Sequence, residues 1–175
     1  KERVIIIDSI SKRFSACGAR MGYAASKNRD LMDALLKLAQ GRLCCPTLEQ
    51  VGAAALYGLD DNYYTDIRKE YEERRDAAYG EIKKIPGVIC QKPGGSFYMM
   101  AKLPVENVDD FLMFMLTEFE DKGETVMFAP AEGFYGTEGL GRDEIRIAYV
   151  LSSEKMKRGV ELIRLGIEAY NERKN

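Results

Sequence analysis

The residues best suited to chemistry lie between positions 8 and 22, and Lys12 is the central one. Lys12 follows Ser9 and Ser11, which come soon after the apolar run Val-Ile-Ile-Ile at positions 4–7. A β-branched run that leads into small hydroxyl residues is typical of a buried strand that delivers its last side chains to a cleft, where ligands of open α/β sheets bind. The sequence therefore predicts that Lys12 lies at a ligand-binding cleft.

The neighbours of Lys12 carry groups that suit a phosphate ligand. Ser9 and Ser11 supply two hydroxyls and Arg20 supplies a guanidinium, a combination that binds phosphate monoesters. A lysine amine beside such a site indicates pyridoxal phosphate, because a neutral lysine amine reacts with an aldehyde. The alternative interpretation is an exposed lysine in a serine-rich turn, and the tetrapeptide Ser-x-Ser-Lys alone favours that alternative.

A longer pattern distinguishes these interpretations. Residues 9–22 read Ser-x-Ser-Lys-x-Phe-Ser-x-x-Gly-x-Arg-x-Gly, which resembles the lysine signature of the fold-type I pyridoxal-phosphate aminotransferases, the aspartate aminotransferase superfamily. The resemblance implies that Lys12 attaches to the cofactor and that Ser9 and Arg20 bind its phosphate, with Ser11 as an additional candidate. It continues through Pro-Gly-Gly-Ser-Phe-Tyr at 93–98, Phe-Ala-Pro-Ala-Glu-Gly-Phe-Tyr-Gly at 128–136 and Glu-Ile-Arg-Ile-Ala-Tyr at 144–149.

Arg146 is the candidate for substrate binding. The resemblance implies that it holds the α-carboxylate of an amino acid, and a planar guanidinium suits this role because it forms two parallel hydrogen bonds with a carboxylate. On an alternating strand Arg146 faces away from Ile145 and Ile147, so it lies on a solvated face or on a cleft wall. Phe97 is a further candidate beside the bound substrate, although an aromatic residue on a strand more often belongs to the core.

The resemblance covers only the second half of the family's sequence. The chain has no initiator methionine and begins a few residues before Lys12, so we expect a carboxyl-terminal fragment. In the family, the aspartate that pairs with the pyridine nitrogen, the aromatic residue that stacks on the cofactor ring and the groups that hold its phenolic oxygen lie upstream. Family active sites also form across a dimer interface. We therefore expect a homodimeric parent, and we expect the isolated 175 residues to have little or no activity and not necessarily to retain the cofactor.

Composition argues against several classes of function. A formal net charge of -2 with mixed charges, and a pI near 5.4, give no basic surface for nucleic acid. No apolar run approaches the roughly 20 residues that a membrane span needs. The chain has no histidine, and its four cysteines show no C-x-x-C spacing, which argues against a metal site, a disulfide scaffold and a histidine-activated nucleophile. Reduced thiols are typical of the cytoplasm, which is the location we expect.

Helix and strand patterns, taken with the resemblance, divide the chain into three parts. We expect residues 1–62 to be the end of a large pyridoxal-phosphate-binding α/β domain, 63–85 a long connecting helix, and 86–175 a small α+β domain with an antiparallel sheet. Hydrophobic spacing predicts helices at 28–40, 46–58, 63–84, 108–122 and 154–172, and strands at 4–7, 21–25, 88–91, 96–101, 125–128 and around Arg146. Leu31, Leu35 and Leu38 are predicted to pack in the core.

Together these observations predict a cytoplasmic aminotransferase that transfers an amino group between an amino acid and a 2-oxo acid. Segments 125–130 and 146–150 look closest to bacterial aspartate-type enzymes, so aspartate and 2-oxoglutarate are the expected substrates. Two alternatives stay open. One is another pyridoxal-phosphate reaction on the same fold, such as a lyase that cleaves carbon-sulfur bonds. The other is a non-enzymatic α+β binding domain in which Lys12 is an ordinary exposed residue.

Overall fold

The chain divides into two compact units, with the boundary between Tyr63 and Tyr64. The structure is a computed structural model that describes residues 2–173. The first unit contains the following elements: strands β1 (Ile5–Ser9) and β2 (Gly22–Ser26), helices α1 (Ile10–Arg13), α2 (Arg29–Gln40) and α3 (Thr47–Leu56), and the start of α4 (Asp61–Ile82). Helix α4 continues into the second unit.

Strands β1 and β2 pair antiparallel, with Ser9 opposite Gly22. Their approach is close, because a Cβ atom at Gly22 would come within 2.9 Å of the Asp8 carbonyl oxygen. Only glycine leaves room for that carbonyl. The end of β1 is therefore held against the start of β2, at the point where the turn that carries Lys12 begins.

The prediction of a buried strand before Lys12 is wrong for this chain. The four apolar residues at 4–7 are between 51% and 80% exposed. Among the described residues β1 pairs only with β2, and no second layer buries the apolar side chains at 4–7. A β-branched run of this kind is normally covered on both sides in an α/β fold.

The leucines of α2 are also not in a core, which is a second correction. Leu31 and Leu35 are half-buried, and Leu38 is 73% exposed. Within the described part of the first unit, the fully buried hydrophobic residues are Ile10, Phe14 and Ala53. This unit therefore lacks the hydrophobic centre that the spacing of the leucines predicted.

Helix starts follow side-chain caps that are visible in the sequence. The Asn28 side chain accepts a hydrogen bond from Leu31 N at 3.0 Å where α2 begins. Ser152 caps α6 (Ser153–Glu172) in the same way. The observed starts, Arg29 and Ser153, each lie within one residue of the predicted starts at 28 and 154. Within residues 2–173, no helix is both long and apolar enough to cross a bilayer.

The second unit is an antiparallel sheet packed with helices. Its strands are β3 (Ile89–Cys90), β4 (Tyr98–Lys102), β5 (Ala129–Pro130) and β6 (Glu144–Ala148), in the order β3-β4-β6-β5, and every neighbouring pair is antiparallel. Helix α5 (Val108–Thr117) follows β4, and α6 follows β6. The predicted α+β architecture with an antiparallel sheet is confirmed.

The hydrophobic core of the second unit joins the sheet to α4, α5 and α6. Phe111 on α5 stacks on Phe128 with ring centroids 5.5 Å apart. The apolar side chains along one face of α6 are all buried: Met156, Val160, Ile163, Ile167 and Tyr170. Full burial of one large apolar side chain contributes about 1.5–3 kcal/mol. Burial of this cluster therefore stabilises the sheet of the second unit.

Helix α5 ends earlier than predicted, at Thr117 rather than at position 122. The chain leaves the helix at Glu118 and makes a tight turn in which Asp121 and Glu124 exchange backbone hydrogen bonds of 2.9 and 3.1 Å. Gly123 has a φ of 76° in this turn, so it serves the turn and not a helix end. Residues 125–128 do not form the predicted strand: the strand that pairs with β6 is the shorter β5, which begins at Ala129, and Phe128 before it is buried in the core.

Candidate functional site

Ser9 closes β1 and also caps α1, the one-turn helix that carries Lys12. Its side-chain oxygen accepts a hydrogen bond from Ser11 N (3.1 Å), donates to the Met21 carbonyl oxygen (2.9 Å) and lies 2.8 Å from Ser11 Oγ. Ile10 N also donates to the Met21 carbonyl oxygen, at 3.3 Å. These bonds tie the turn to the start of β2 and fix both serine hydroxyls.

Arg20 completes a group of three polar residues around one cleft. It follows a short 3₁₀ helix and has a left-handed backbone with a φ of 53°. Its Nη1 donates a hydrogen bond to the Cys17 carbonyl oxygen at 3.0 Å. Ser9, Ser11 and Arg20 line the same cleft, which has a volume of about 770 Å³. The structure therefore brings together the three residues that the sequence predicted for phosphate binding.

Arg42 lines the same cleft and was missed by the sequence analysis. It directly follows α2 and Gly41, and its N–H donates to the Ala39 carbonyl oxygen at 2.9 Å. No spacing pattern connects it with Arg20, because β2 and α2 separate the two residues. Two hydroxyls and two guanidiniums form a donor set that fits a phosphate group.

The Lys12 side chain is exposed on α1 and is not among the residues that line this cleft. Its neighbour Arg13 pairs with Asp8, with Arg13 Nη2 2.5 Å from Asp8 Oδ2. A hydrogen bond from Ser9 N at 2.7 Å, together with Arg13, holds the pKa of the Asp8 carboxyl below its usual value. The turn therefore contains the negatively charged Asp8 carboxylate, which is held by Arg13. Ser9, Ser11 and Arg20, the residues predicted to bind phosphate, line the cleft together, and Lys12 does not line it.

Arg146 lies at the centre of β6, on the opposite face from Ile145 and Ile147. These isoleucines are 0% and 7% exposed, whereas Arg146 is half-buried, as the alternation predicted. Its Cζ atom lies 4.3 Å from the ring centroid of Tyr98 and 4.5 Å from that of Phe134. Within residues 2–173 no carboxylate forms an ion pair with Arg146. The strand therefore presents a guanidinium, held by two rings, that an external carboxylate can bind.

Phe97 has packing contacts that account for an aromatic residue at its position. Its ring centroid lies 4.7 Å from that of Tyr98 and 6.0 Å from that of Tyr71. It packs against the core and is partly buried. Its predicted place beside a bound substrate stays a prediction.

Tyr149 is a second residue that the sequence analysis did not identify. It is 1% exposed, and its hydroxyl donates to the Ser96 carbonyl oxygen at 2.8 Å, while the Gly95 carbonyl oxygen lies at 3.2 Å. Burial raises the pKa of its phenol. Tyr149 therefore fixes the Gly94-Gly95-Ser96 loop just before β4. In the sequence, the only indication of such a role is that Tyr149 directly follows the strand that contains Arg146.

Comparison with known proteins identifies the family. The sequence model of the family described as Aminotransferase class I and II matches residues 1–163. The chain is 30% identical over 179 residues to an aspartate aminotransferase of Bacillus subtilis (strain 168), a match that covers 98% of this chain and 43% of that protein. An aspartate aminotransferase of Geobacillus stearothermophilus is also 30% identical, over 97% of this chain and 42% of that protein. The chain thus spans less than half the length of these relatives.

Solved structures agree with the described fold. An alanine aminotransferase from Pyrococcus furiosus has a TM-score of 0.81 at 28% identity, over 95% of this chain and 42% of that chain. The α-aminoadipate aminotransferase LysN from Thermus thermophilus, complexed with N-(5'-phosphopyridoxyl)-L-leucine, has a TM-score of 0.80 at 22% identity over 95% and 42% of the two chains. At that identity the likeness shows the fold alone. Because the family model matches most of the sequence, the resemblance is confirmed and the chain belongs to the class I and II aminotransferase family.

Proposed function

We propose that this chain is the carboxyl-terminal part of a pyridoxal-phosphate-dependent aminotransferase, which transfers an amino group between an amino acid and a 2-oxo acid. The observation that carries the proposal is the convergence of Ser9, Ser11 and Arg20 on one cleft, beside the turn that bears Lys12, in a chain of the aminotransferase family. The second supporting observation is that Arg146 has no carboxylate partner among the described residues.

The cleft residues would hold the cofactor's phosphate. The hydroxyls of Ser9 and Ser11 are fixed by the bonds that tie the turn to β2. The Arg20 guanidinium uses one N–H group for the Cys17 carbonyl oxygen, so its other N–H groups can point to an anion. Arg42 adds positive potential to the same cleft.

Lys12 would be the covalent attachment point and the base. Pyridoxal phosphate, when bound, supplies the electron-withdrawing ring that stabilises negative charge at the substrate α-carbon. Lys12 Nζ would hold the cofactor before the substrate arrives and then accept the proton of the substrate α-carbon. A lysine amine suits both tasks because its neutral form is both a nucleophile and a base.

Arg146 would bind the α-carboxylate of the substrate. Two parallel N–H groups fix both the position and the orientation of a carboxylate, whereas a lysine offers a point charge. The rings of Tyr98 and Phe134 limit where the guanidinium can lie. A carboxylate held in one orientation determines which bond of the α-carbon is presented for cleavage.

Aspartate and 2-oxoglutarate are the substrates that we propose. Relatives at 30% identity bear the name aspartate aminotransferase, and this supports aspartate as the amino acid here. Both molecules carry an α-carboxylate that Arg146 would bind. Phe97 would lie beside the substrate as a packing contact.

The proposal extends to the assembly of the whole protein. We place residues 1–62 at the end of a large domain, 63–85 in a connecting helix and 86–175 in a small domain, and we expect a homodimer in the cytoplasm. All four cysteines are free thiols, which suits a reducing compartment. The open apolar residues of β1 suit a surface that further protein covers. We therefore expect the 175 residues alone to be inactive.

The test is an assay of the full-length protein with aspartate and 2-oxoglutarate, with Lys12→Ala as the test variant and Lys37→Ala, on the exposed face of α2, as the matched control. We expect turnover that requires the 2-oxo acid, is lost in Lys12→Ala and persists in Lys37→Ala. Turnover without a 2-oxo acid would favour a lyase. An unchanged Lys12→Ala rate would overturn the role of Lys12, and absence of both turnover and cofactor binding would favour a binding domain.

A further inference from the structure

Phe134, one of the two rings on Arg146, belongs to a loop that is fixed at both ends by Glu144. Ala131 N donates to the Glu144 carbonyl oxygen at 2.9 Å, and Glu144 N donates to the Gly141 carbonyl oxygen at 3.1 Å. The Tyr135 hydroxyl donates to Glu144 Oε2 at 2.5 Å. We name Tyr135, Gly141 and Glu144 the latch.

Gly141 gives the Tyr135 ring its place. This glycine has a φ of 78°, and a Cβ atom on it would come within 2.6 Å of two carbon atoms of the Tyr135 ring. The ring therefore lies against the glycine backbone while its hydroxyl is bonded to Glu144. Both ends of the Tyr135 side chain are fixed, although the residue is 41% exposed.

The two rings on Arg146 differ in how their positions are set. Tyr98 lies on β4 opposite Ala148, two residues from Arg146 on β6, so the sheet itself sets its ring. Phe134 ends a 3₁₀ turn (Glu132–Phe134) within the loop, where its N–H donates to the Ala131 carbonyl oxygen at 2.9 Å, and its side chain is 55% exposed. The turn sets the backbone of Phe134 and the latch fixes the adjacent Tyr135, so the position of the Phe134 ring over Arg146 depends on both.

We infer that the latch is a positioning device that holds Phe134 on Arg146 and so keeps the guanidinium ready for a carboxylate. This inference rests on the carboxylate-binding role proposed for Arg146. When the latch is open, Arg146 regains rotamer freedom, and a carboxylate must order the side chain on binding. The latch therefore acts on binding of the amino acid and the 2-oxo acid and not on proton transfer, which is the proposed task of Lys12.

A direct test measures the contact of Phe134 with Arg146 by NMR in the 175-residue chain. Side-chain protons of an arginine beside an aromatic ring are shifted upfield, so the Arg146 Hε and Hδ signals report the contact. Phe134→Leu removes the part of this shift that the Phe134 ring causes. We expect Tyr135→Phe and Gly141→Ala to remove most of that same part. Gly139→Ala is the matched control, because Gly139 has a φ of 82° but a Cβ atom added to it would meet no atom within 4 Å. Unchanged signals in Tyr135→Phe and Gly141→Ala overturn the inference.

A second test separates the latch from the proposed function. In the full-length enzyme, Tyr135→Phe and Gly141→Ala should raise KM for both substrates about 2- to 12-fold, the cost of ordering one side chain, with kcat unchanged. Tyr57→Phe is the control, because Tyr57 is a half-exposed tyrosine of the first unit, and it should change neither constant. Arg146→Lys tests the underlying role. If Arg146→Lys leaves KM unchanged, the carboxylate role fails. If Arg146→Lys raises KM and the latch variants do not, the latch alone fails.

Discussion

Gly22→Ala is the substitution that tests most sharply how the turn that we propose to bind phosphate is built. The added Cβ would lie 2.9 Å from the Asp8 carbonyl oxygen, and ordinary contact begins at 3.4 Å, so backbone must move by about 3.4 − 2.9 = 0.5 Å. The atom that must yield is backbone oxygen, not the flexible end of a side chain. The close pairing of Ser9 with Gly22 therefore has to open.

The stability that Gly22→Ala is expected to lose follows from the hydrogen bonds that tie the turn to the start of β2. Two hydrogen bonds end on the Met21 carbonyl oxygen, from Ser9 Oγ and Ile10 N. Loss of both costs about 1–3 kcal/mol at about 0.5–1.5 kcal/mol each. The lower backbone entropy of the unfolded alanine variant offsets about 0.4–1 kcal/mol of this. Taking the middle of both ranges, we expect Gly22→Ala to weaken the turn by about 1.3 kcal/mol, which is about 9-fold in an equilibrium constant.

The assay is the affinity of the full-length protein for pyridoxal phosphate, measured by equilibrium dialysis, together with amide hydrogen exchange of Ile10 and Ser11. Gly22→Ala should bind the cofactor about 9-fold more weakly and exchange these amides faster. Gly18→Ala is the matched control, because a Cβ atom there meets nothing within 4 Å. Affinity and exchange equal to those of the unchanged protein would refute the argument that this close approach builds the site.

Three further predictions concern other residues. Arg146→Lys should lower kcat/KM about 10- to 150-fold, because loss of one charge-assisted hydrogen bond costs about 1.5–3 kcal/mol, while Arg164→Lys should leave steady-state kinetics unchanged. Arg158→Ala should lower the Tm in low salt and less so in 1 M salt, since Arg158 pairs with Asp121, Glu124 and Glu161 at 2.6, 2.8 and 2.9 Å; an equal loss in both salts would contradict an ionic origin. The pKa of Asp8 is depressed from 3.8 in the folded chain, so its contribution is present above that value and is lost as the pH falls below it. Unfolding at decreasing pH should therefore show a shallower loss of stability in Asp8→Asn, and an unchanged slope would contradict the pairing.

The sequence predicted those parts of the fold that depend on local chemistry. Asn28 and Ser152 are caps whose side chains bond their own helices, and the alternation around Arg146 follows from strand geometry. The family signature marked Ser9, Ser11 and Arg20, which do share a cleft.

Features that depend on distant contacts could not be predicted from local patterns. Arg42 reaches the cleft of Arg20 only through the path of β2 and α2. Phe134 reaches Arg146 only because a loop folds back on β6. The run at 4–7 has the composition of a buried strand but is exposed here, because burial depends on what packs against a strand and not on its own residues.

Lys12 is the residue that we propose to hold pyridoxal phosphate. The most direct measurement is reduction of the full-length protein with borohydride in the presence of pyridoxal phosphate, followed by peptide mapping of the label. We expect a visible absorption band that disappears on reduction, with the pyridoxyl label on Lys12 alone. A label spread over several lysines, or no band at all, would contradict it.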